Sequence, residues 1–388
     1  MDKGITMKSI LKILFCFFIF VSISYSVEPI KIGVSLGLTG KYSFMSNMNK
    51  MAYELWIDNI NNKGGILGRE VKLIMYDDNS NPNKAKELYE QLILKDKVDF
   101  VFAPYSSGIT QKVLLVTEKY GYPLLSSGAA ADILWKQGHK YFFGVFIPAN
   151  KYTKGFLELA LRKGLSKIAI VSADDSFSKS IANGANKWAK RLGMDVILFD
   201  SFKKGLKDLD YIAKKVKSLN TEVLIVGGHF YESIDMRQSL KNIAWYPKAY
   251  YASVGPVTQK YYDSLKNDAE LTFSSSQWEP YGLAPYPGAK EFSENFFKRY
   301  QVDPTYHASS AYAAGQILET AIKKAKSLDR NKVRDVLSSL DTITIMGRYG
   351  VDNFGVQIRH LSLVIQWQNG QKEVVGPENI KTVDAILK

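Results

Sequence analysis

Two segments rich in serine, glycine and alanine carry the side chains best suited to binding a small polar molecule. Tyr105-Ser106-Ser107-Gly108 follows an apolar run at 98–102, and Ser126-Ser127-Gly128-Ala129-Ala130 follows another at 123–125. Serine hydroxyls and backbone N–H groups at strand ends and helix N-termini can hold a carboxylate or a similar group. Helix N-capping explains either segment taken alone. Because both segments end neighbouring strands of one predicted sheet, we predict that they contact a ligand together.

Aromatic residues in a later part of the chain form a second candidate set. Phe177 follows three polar residues, His229 and Phe230 follow a Gly-Gly pair, and Trp278 lies near a predicted crossover between domains. Aromatic side chains that face a polar cradle across a cleft can enclose the apolar part of a small ligand. Packing in a hydrophobic core is the alternative for each of them. We predict that this second set closes over the ligand from the opposite side.

Signatures of metal, cofactor and hydrolase sites are absent from the sequence. The sequence has four histidines, which are His139, His229, His307 and His360. None of them has another His, Cys or Glu at metal-ligand spacing. There is no Gly-x-Ser-x-Gly elbow and no phosphate-binding loop ending in Gly-Lys-Ser/Thr. Glycines follow the first apolar run, but their spacing differs from the dinucleotide-binding fingerprint. We therefore expect no metal, no cofactor and no dehydrogenase activity.

The N-terminus has the pattern of a secretory signal peptide. Three lysines precede an apolar run at 13–21, and Ser24 and Ser26 provide a small-x-small exit. A membrane anchor is the alternative, but the run is shorter than the ~20 apolar residues that a spanning helix needs. We predict cleavage after Ser26 and a soluble periplasmic protein. Cys16, the only cysteine, lies in this leader, so the mature chain has no disulfide.

Length and charge restrict the class of protein further. The chain has 388 residues, 46% of them hydrophobic and 23% charged, with a net charge of +13. This composition is globular, and the length allows two domains with separate cores. Lysines and acidic residues alternate along the predicted helices, which is typical of a solvated surface. We therefore expect no nucleic-acid partner.

Strand and helix patterns alternate in two series, which predicts an α/β protein with two doubly wound, mostly parallel sheets. The predicted strands lie at 30–37, 71–76, 98–102, 123–125, 167–172, 195–199, 222–226 and 248–251. The predicted helices include 82–95, 110–120, 152–163, 177–192, 207–219, 231–243, 289–300, 305–326 and 330–339. A loop is predicted at 281–287, and 361–367 followed by Asn369-Gly370 predicts a hairpin. Ligands of such sheets bind at the carboxyl ends of the strands.

Motifs in family order over almost the whole mature chain carry a resemblance to a known family. They are Ile30-Lys31-Ile32-Gly33, Leu38-Thr39-Gly40, Asp58-Asn59-Ile60-Asn61-Asn62-Lys63-Gly64-Gly65-Ile66, Tyr76-Asp77-Asp78, Ser106-Ser107-Gly108, Ser126-Ser127-Gly128-Ala129 and Ala311-Tyr312-Ala313-Ala314. With these motifs the chain resembles the type I periplasmic binding proteins, specifically the branched-chain amino-acid and amide group that serves ABC importers. The resemblance implies two lobes that close like a hinge. Their boundaries would be 27–147 plus 277–354 and 148–276 plus 355–388.

The resemblance also implies a role for individual residues. The ligand's carboxylate would be held by Ser107 and the segment 126–130, and the second lobe would close with Phe177, His229 and Val254. Two positions depart from the amino-acid binders. Ala130 stands where those proteins have the Thr that ends the Ser-x-Gly-Ala-Thr motif. Val254 stands where they have the acidic residue that pairs with a ligand's ammonium.

These departures affect the expected ligand. A buried ammonium without a carboxylate partner would cost several kcal/mol. Asp174, Asp175 or Glu232 could supply the missing charge. An uncharged amide, or a carboxylate that lacks the amine, fits the predicted site at least as well as an amino acid.

The resulting hypothesis is a monomeric, non-enzymatic receptor that captures a small polar ligand and delivers it to an ABC permease. Two alternatives remain at the level of sequence. One is a sensor of the same fold that signals to a partner protein. The other is an exported enzyme that uses the ionisable residues near the predicted cleft, namely Asp174, Asp175 and His229.

Overall fold

The computed structural model describes residues 28–280 and 285–388. The predicted leader, with its cleavage site and Cys16, lies outside the described residues, as do residues 281–284 of the predicted loop. The strands are β1 (Ile30–Leu36), β2 (Val71–Asp77), β3 (Phe100–Phe102), β4 (Leu124–Ser126), β5 (Phe142–Gly144), β6 (Lys167–Ala173), β7 (Asp195–Phe202), β8 (Val223–Gly227), β9 (Ala249–Ala252), β10 (Thr272–Ser276), β11 (Thr342–Thr344), β12 (Gly347–Tyr349), β13 (Leu363–Gln368) and β14 (Gln371–Gly376).

The α-helices follow the same alternation along the chain. They are α1 (Ser43–Asn62), α2 (Pro82–Leu94), α3 (Ser107–Tyr120), α4 (Lys154–Arg162), α5 (Ser176–Arg191), α6 (Asp210–Ser218), α7 (Phe230–Asn242), α8 (Gln259–Leu265), α9 (Ala289–Tyr300), α10 (Tyr306–Ala325) and α11 (Arg330–Ser339). In the part of the chain that is described, no helix is both long and apolar enough to cross a membrane.

The strands form two large sheets, which confirms the predicted α/β class. A five-stranded sheet has the order β2-β1-β3-β4-β5, and all its neighbouring strands are parallel. A seven-stranded sheet has the order β14-β13-β10-β9-β8-β6-β7. Its last two strands form the antiparallel hairpin that Asn369-Gly370 predicted, and β13 pairs antiparallel with β10. We call the five-stranded sheet with α1–α3 and α9–α11 the first lobe, and the seven-stranded sheet with α4–α8 the second lobe.

Buried strands and capped helices explain why the chain folds this way locally. All residues of β1 except Lys31 are buried, as expected for a parallel strand covered by helices on both faces. Asn81 accepts hydrogen bonds from the backbone N–H groups of Asn83 and Lys84, and Pro82 occupies the first turn of α2. The segment after α1 turns at Gly64 and Gly65, whose φ angles are 90° and 76°.

The chain passes between the two lobes three times. It leaves the first lobe after β5 and enters the second lobe at α4, returns between β10 and α9, and passes again between β12 and β13. The second passage includes Gln277, whose side-chain oxygen accepts a hydrogen bond of 2.9 Å from the backbone N–H of Ile147 in the first passage. The crossing segments therefore contact one another, which is the geometry of a hinge between two bodies.

Several short elements were not predicted from the sequence. They are the edge strand β5, the strand β10, the small hairpin of β11 and β12, and the helix α8. The strand β10 reads Thr-Phe-Ser-Ser-Ser and is buried throughout, although serine has a low β-propensity. Its Ser275 hydroxyl accepts a 3.0 Å hydrogen bond from Tyr251 and donates one to the Tyr152 carbonyl. These bonds satisfy a polar side chain that the hydrophobic pattern alone would place at the surface.

Candidate functional site

A small cavity lies between the lobes at the carboxyl ends of β3 and β4. It is lined by residues of both lobes and of the crossing segments: Tyr105, Ser106, Ser107, Gly128, Ala130, Phe146, Tyr152, Phe177, His229, Val254, Tyr306 and His307. Eight of these were predicted as ligand contacts from the sequence. The structure therefore brings together most of the two candidate sets, which come from separate parts of the chain, 105–130 and 177–278.

Aromatic rings fill most of this space. The cavity has a volume of about 10 Å³, which is close to the minimum that one water molecule needs. The ring centroids of Phe177 and His229 are 5.0 Å apart, and those of Tyr105 and His307 are 5.5 Å apart. A ligand as large as an amino acid therefore fits only if the lobes separate or these rings turn.

Ser107 begins α3 and connects the two predicted loops. Its Oγ accepts hydrogen bonds from the backbone N–H groups of Ala130 and Ala131, at 3.2 Å and 3.0 Å. With both acceptor positions used, the hydroxyl can act toward a ligand as a donor, which suits a carboxylate or a carbonyl oxygen. The Ala130 N–H, which lies in the segment predicted to hold the ligand, is bound by Ser107 instead.

The loops are fixed to each other by a second backbone contact. Ser106 has a φ of 86°, and its N–H donates to the Gly128 carbonyl at 3.0 Å. A Cβ at Gly128 would lie 3.1 Å from Cα of Tyr105, so the close approach leaves little room for a side chain. The cradle is therefore held in place by its own backbone.

Ser126, Ser127 and Ala129 do not line the cavity, which corrects the sequence-based expectation for them. Ser126 donates to the Ala129 carbonyl at 2.8 Å. The Ser127 hydroxyl lies 2.6 Å from that of Tyr53 and accepts a 3.2 Å bond from Asn49 on α1. The loop folds back onto α1, so these hydroxyls shape the cradle from behind.

Asp175 contacts His229 of the cavity wall, but it is fully engaged. It caps α5 by accepting from the N–H groups of Phe177 and Ser178, and it lies 3.3 Å from His229 Nε2 and 3.2 Å from Lys204 Nζ. Burial alone would raise the pKa of this carboxyl, but His229, Lys204 and Ser178 hold the pKa far below its usual range. Asp175 is therefore a permanent anion whose charge is already compensated.

Lys204 joins the lobes beside this carboxylate. Its Nζ donates a 2.7 Å hydrogen bond to the hydroxyl of Tyr42, which precedes α1 in the first lobe. The Tyr42 ring lies 5.3 Å from His229 and 5.5 Å from Tyr105. Burial lowers the pKa of Lys204, but Tyr42 and Asp175 outweigh it and raise the pKa overall. The ammonium thus remains charged across the closed cleft.

Two imidazoles present unused nitrogens in this region. Nδ1 of His229 and Nδ1 of His307 are buried without a hydrogen-bond partner among the described residues. Burial, with a smaller contribution from the charge of His229, lowers the pKa of His307 to about 3. His307 is therefore neutral at physiological pH, and its ring can serve as a hydrogen-bonding group for a ligand. No three His, Cys, Asp or Glu side chains within 28–280 and 285–388 are placed to hold a metal.

Comparison with known proteins assigns this fold and cavity to a family. The sequence profile of the family described as periplasmic binding protein matches residues 29–372. The chain belongs to the periplasmic binding proteins. Among curated relatives, Leu/Ile/Val-binding protein homolog 7 of Brucella suis biovar 1 is 25% identical over 371 residues, which cover 90% of this chain and 92% of the relative.

Solved structures show the same two-lobed fold. The branched-chain amino acid transporter substrate binding protein LivJ of Streptococcus pneumoniae, in complex with isoleucine, has a TM-score of 0.81 at 21% identity and covers 90% of this chain and 100% of its own. A solute binding protein of Rhodopseudomonas palustris in complex with benzoate has a TM-score of 0.79 at 16% identity, with coverages of 90% and 96%.

Two other predicted contacts of this periplasmic binding protein lie outside the cavity. Trp278 is buried in the first lobe, where its Nε1 donates to the Ile345 carbonyl at 3.0 Å and its ring packs against Phe292. Phe230 packs against Phe44 of the first lobe, with ring centroids 5.6 Å apart. Both side chains belong to packed aromatic pairs, which explains why the aromatic pattern alone misplaced them.

The acidic residues that could have replaced the missing ammonium partner are also engaged elsewhere. Asp174 accepts a 2.9 Å bond from the Lys204 backbone N–H. Glu232 accepts a 3.1 Å bond from the His229 N–H and forms the capping box of α7. Neither lines the cavity, and Val254 does. The periplasmic binding protein therefore has no uncompensated carboxylate among its described cavity-lining residues.

Val254 also has unusual backbone geometry. Its φ is 65°, in a region that β-branched residues rarely adopt. Such a conformation costs about 1–3 kcal/mol and is found mainly at functional sites. The loop after β9 thus holds Val254 in a strained conformation beside the cavity.

Four cavity residues were not predicted from the sequence: Phe146, Tyr152, Tyr306 and His307. Phe146 and Tyr152 lie in the first crossing segment, and Tyr306 and His307 begin α10. The pair Tyr306-His307 directly precedes the small residues Ala308 to Ala311. This change from large rings to small side chains at the start of a helix was the only local signal for Tyr306 and His307.

Proposed function

We propose that this periplasmic binding protein captures a small ligand between its lobes and delivers it to the membrane permease of an ABC transporter. The observation that carries the proposal is the cavity, to which Ser107 of the first lobe and Phe177 and His229 of the second contribute together. A site formed from both lobes gives ligand binding a direct way to favour closure.

The ligand that fits the site best is a carboxylate without an amine, or a neutral amide, with an apolar or aromatic body. Ser107 offers a hydroxyl donor, and His229 and His307 each have an unpartnered ring nitrogen. Asp175 is already compensated by Lys204, so an ammonium would lack a partner. The rings of Tyr105 and Phe177 would contact the apolar body. Benzoate, bound to one of the structural relatives, is a carboxylate of this kind, whereas the isoleucine bound to the other carries an amine.

Closure would involve the lobe boundaries proposed from the sequence, 27–147 plus 277–354 and 148–276 plus 355–388. Two contacts support this division. Lys204 bonds to Tyr42, and the backbone N–H of Asp132 in the first lobe donates to Ser180 Oγ of the second at 3.1 Å. Both bonds would break on opening and would form again when a ligand is enclosed.

The remaining parts of the proposal concern the protein's setting. We infer that a signal peptide ending at Ser26 directs the chain to the periplasm, where it acts as a monomer without catalysing a reaction. The family supports an extracytoplasmic receptor. Genes for permease and ATPase subunits beside the gene of this protein would support transport, and a sensor kinase gene in their place would contradict it.

Mass spectrometry of small molecules released from the purified, denatured protein tests the ligand class. We expect a carboxylate or amide, and calorimetry with benzoate, phenylacetate, benzamide and leucine should rank leucine below the amine-free compounds. Tight leucine binding with no response to the others would contradict the ligand class. The absence of any ligand-dependent stabilisation across amino acids, amides and organic acids would contradict the receptor function itself.

A further inference from the structure

A groove much larger than the cavity runs between the lobes at a different place. Its volume is about 620 Å³, and its walls include Phe44 and Thr305 of the first lobe, Glu279 of the second crossing segment, and Val257, Trp367 and Lys372 of the second lobe. This volume is in the range of sites for small molecules. Within 28–280 and 285–388, the groove and the cavity share no lining residue.

A wall of packed side chains separates the two spaces. Phe44 and Phe230 have ring centroids 5.6 Å apart, and Lys260 Nζ lies 4.7 Å from the centre of the Phe44 ring. On another side, Thr305 lines the groove and the next residue, Tyr306, lines the cavity. The groove is therefore a separate space and not an extension of the cavity.

Two buried oxygens on the groove have no partner. Glu279 is 3% exposed, and its Oε2 lies 2.8 Å from Lys372 Nζ, whereas its Oε1 has no hydrogen-bond partner within 28–280 and 285–388. The same holds for Oγ1 of Thr305, which is 6% exposed. Buried polar atoms are rarely left unpaired, because each loses its hydrogen bonds to water without replacement.

The two oxygens belong to one neighbourhood. Burial is the main reason why the pKa of Tyr306 lies well above its ordinary value, and the negative charge of Glu279 contributes to the same shift. The carboxylate thus acts on the residue that directly follows Thr305. Glu279 and Thr305 both line the groove, so a ligand that fills it lies beside both residues.

We propose that this groove is a second ligand site, for a neutral small molecule that has a carboxamide or similar donor and acceptor group on an apolar body. A carboxamide N–H can donate to Glu279 Oε1, and its carbonyl can accept from the Thr305 hydroxyl. The charge of Glu279 is already matched by Lys372 at 2.8 Å, so a ligand bound at Oε1 needs no charge of its own. Phe44, Val257 and Trp367 provide apolar surface for the rest of the molecule.

Because the groove has walls from both lobes, its ligand would favour the same closed arrangement as a ligand in the cavity. Two ligands that prefer one arrangement raise each other's affinity by the same factor. The groove would thus couple a second compound to solute capture. This coupling does not depend on which molecule occupies the cavity.

The test uses 5-fluorotryptophan-labelled protein and ¹⁹F NMR, with phenylacetamide as the probe and 2-phenylethylamine and phenylacetate as its charged analogues. The Trp367 resonance is assigned with Trp367→Phe. We expect a saturable shift of this resonance with phenylacetamide and weaker binding of both charged analogues. No shift, or equal binding of a charged analogue, would overturn the proposal.

A matched pair of substitutions assigns the binding to the groove. Thr305→Val removes an unpartnered hydroxyl that makes no capping bond to α10, so the fold loses no contact. We expect this substitution to lower the affinity for phenylacetamide about fivefold, which corresponds to the loss of one hydrogen bond. Thr320→Val, whose hydroxyl bonds to the Gln316 carbonyl within α10 and does not line the groove, should bind as the unmodified protein does. Unchanged affinity in Thr305→Val would contradict the proposed site.

Discussion

Lys204 Nζ and the Tyr42 hydroxyl are joined by a 2.7 Å hydrogen bond that crosses from the second lobe to the first. The side chain of Lys204 is 18% exposed and also lies 3.2 Å from Asp175, which caps the helix next to Phe177. One ammonium thus connects the first lobe, the second lobe and the edge of the cavity. Closure of the cleft and the position of the cavity wall are therefore linked.

The first prediction concerns this bond. Tyr42→Phe removes the hydrogen-bond acceptor but keeps the ring, so it should favour the open arrangement. The affinity for the ligand found by mass spectrometry should fall about fivefold. Calorimetry measures the affinity, and small-angle X-ray scattering measures the opening. Tyr211→Phe, on the exposed surface of α6, is the control. Equal affinity of the two variants would show that the bond does not contribute to closure.

The second prediction concerns the cradle. Ser107→Ala removes the hydroxyl that would donate to the ligand, and it leaves the N–H groups of Ala130 and Ala131 without their present partner. We expect at least a tenfold loss of affinity and a loss of about 1–3 kcal/mol in the free energy of unfolding. Calorimetry and chemical denaturation measure the two effects. Ser338→Ala on exposed α11 should change neither, and unaltered ligand binding by Ser107→Ala would show that the cradle is misplaced.

The third prediction concerns ligand class. Val254→Glu introduces a carboxylate at the cavity, so affinity for leucine should rise relative to amine-free carboxylates, because the ammonium then gains a partner. Val254→Gln has the same size without the charge and should not change this preference. Competition calorimetry compares the two compounds in each variant. A rise of leucine affinity in both variants would assign the effect to shape and not to charge.

The fourth prediction concerns pH. The pKa of His307 is lowered from 6.5 to about 3 by burial, so between these values the unfolded state binds a proton that the folded state does not. Stability should therefore fall as the pH decreases from 6.5 to 4.5. Relative to His307→Gln, the wild type should lose about 1.4 kcal/mol of unfolding free energy per pH unit in the lower part of this range.

The comparison with His307→Gln removes the contribution of other groups. Burial lowers the pKa of His360 to about 4, so His360 also reduces the stability as the pH decreases. Burial raises the pKa of Asp78 to about 6, so Asp78 has the opposite effect on stability. Both are present in wild type and variant. Chemical denaturation at several pH values gives the difference directly. Parallel pH profiles of the two proteins would mean that folding does not change the pKa of His307.

The fifth prediction uses two adjacent glycines after α1. Both have positive φ, but a Cβ at Gly65 would lie 1.9 Å from the Arg69 carbonyl oxygen, whereas a Cβ at Gly64 would meet no atom within 4 Å. Gly64→Ala should cost about 1 kcal/mol for its backbone conformation. Gly65→Ala should cost roughly 3 kcal/mol because the turn must also shift. Equal thermal stability of the two variants would contradict this arrangement.

The sequence predicted elements well where a local signal was strong. The run at 361–367 with Asn369-Gly370 became the β13–β14 hairpin, and the helix expected at 305–326 is α10. Prediction failed for β10, because its serines are buried in the middle of a sheet and the hydroxyl of Ser275 finds partners there that no local pattern contains. Ser107 and Phe177 were found because they follow strands, where ligands of parallel sheets bind.

The rest of the cavity depends on contacts that no local pattern contains. His307 reaches the cavity because α10 packs along α1, about 250 positions earlier in the chain. Ser127 looks like a ligand contact in sequence, but Tyr53 and Asn49 hold its hydroxyl on the other side of the loop. In both cases the direction of a side chain is decided by a distant helix.

The position of β13 beside β10 has a consequence for how the protein is made. A chain synthesised from its N-terminus has the strands of the first sheet by residue 144, but the helices α9–α11 of that lobe come only after residue 288. The second sheet lacks two strands until residue 376 has emerged. Neither lobe can be completed from the first half of the chain. Nascent protein therefore has to stay unfolded, or only partly folded, until synthesis is almost finished.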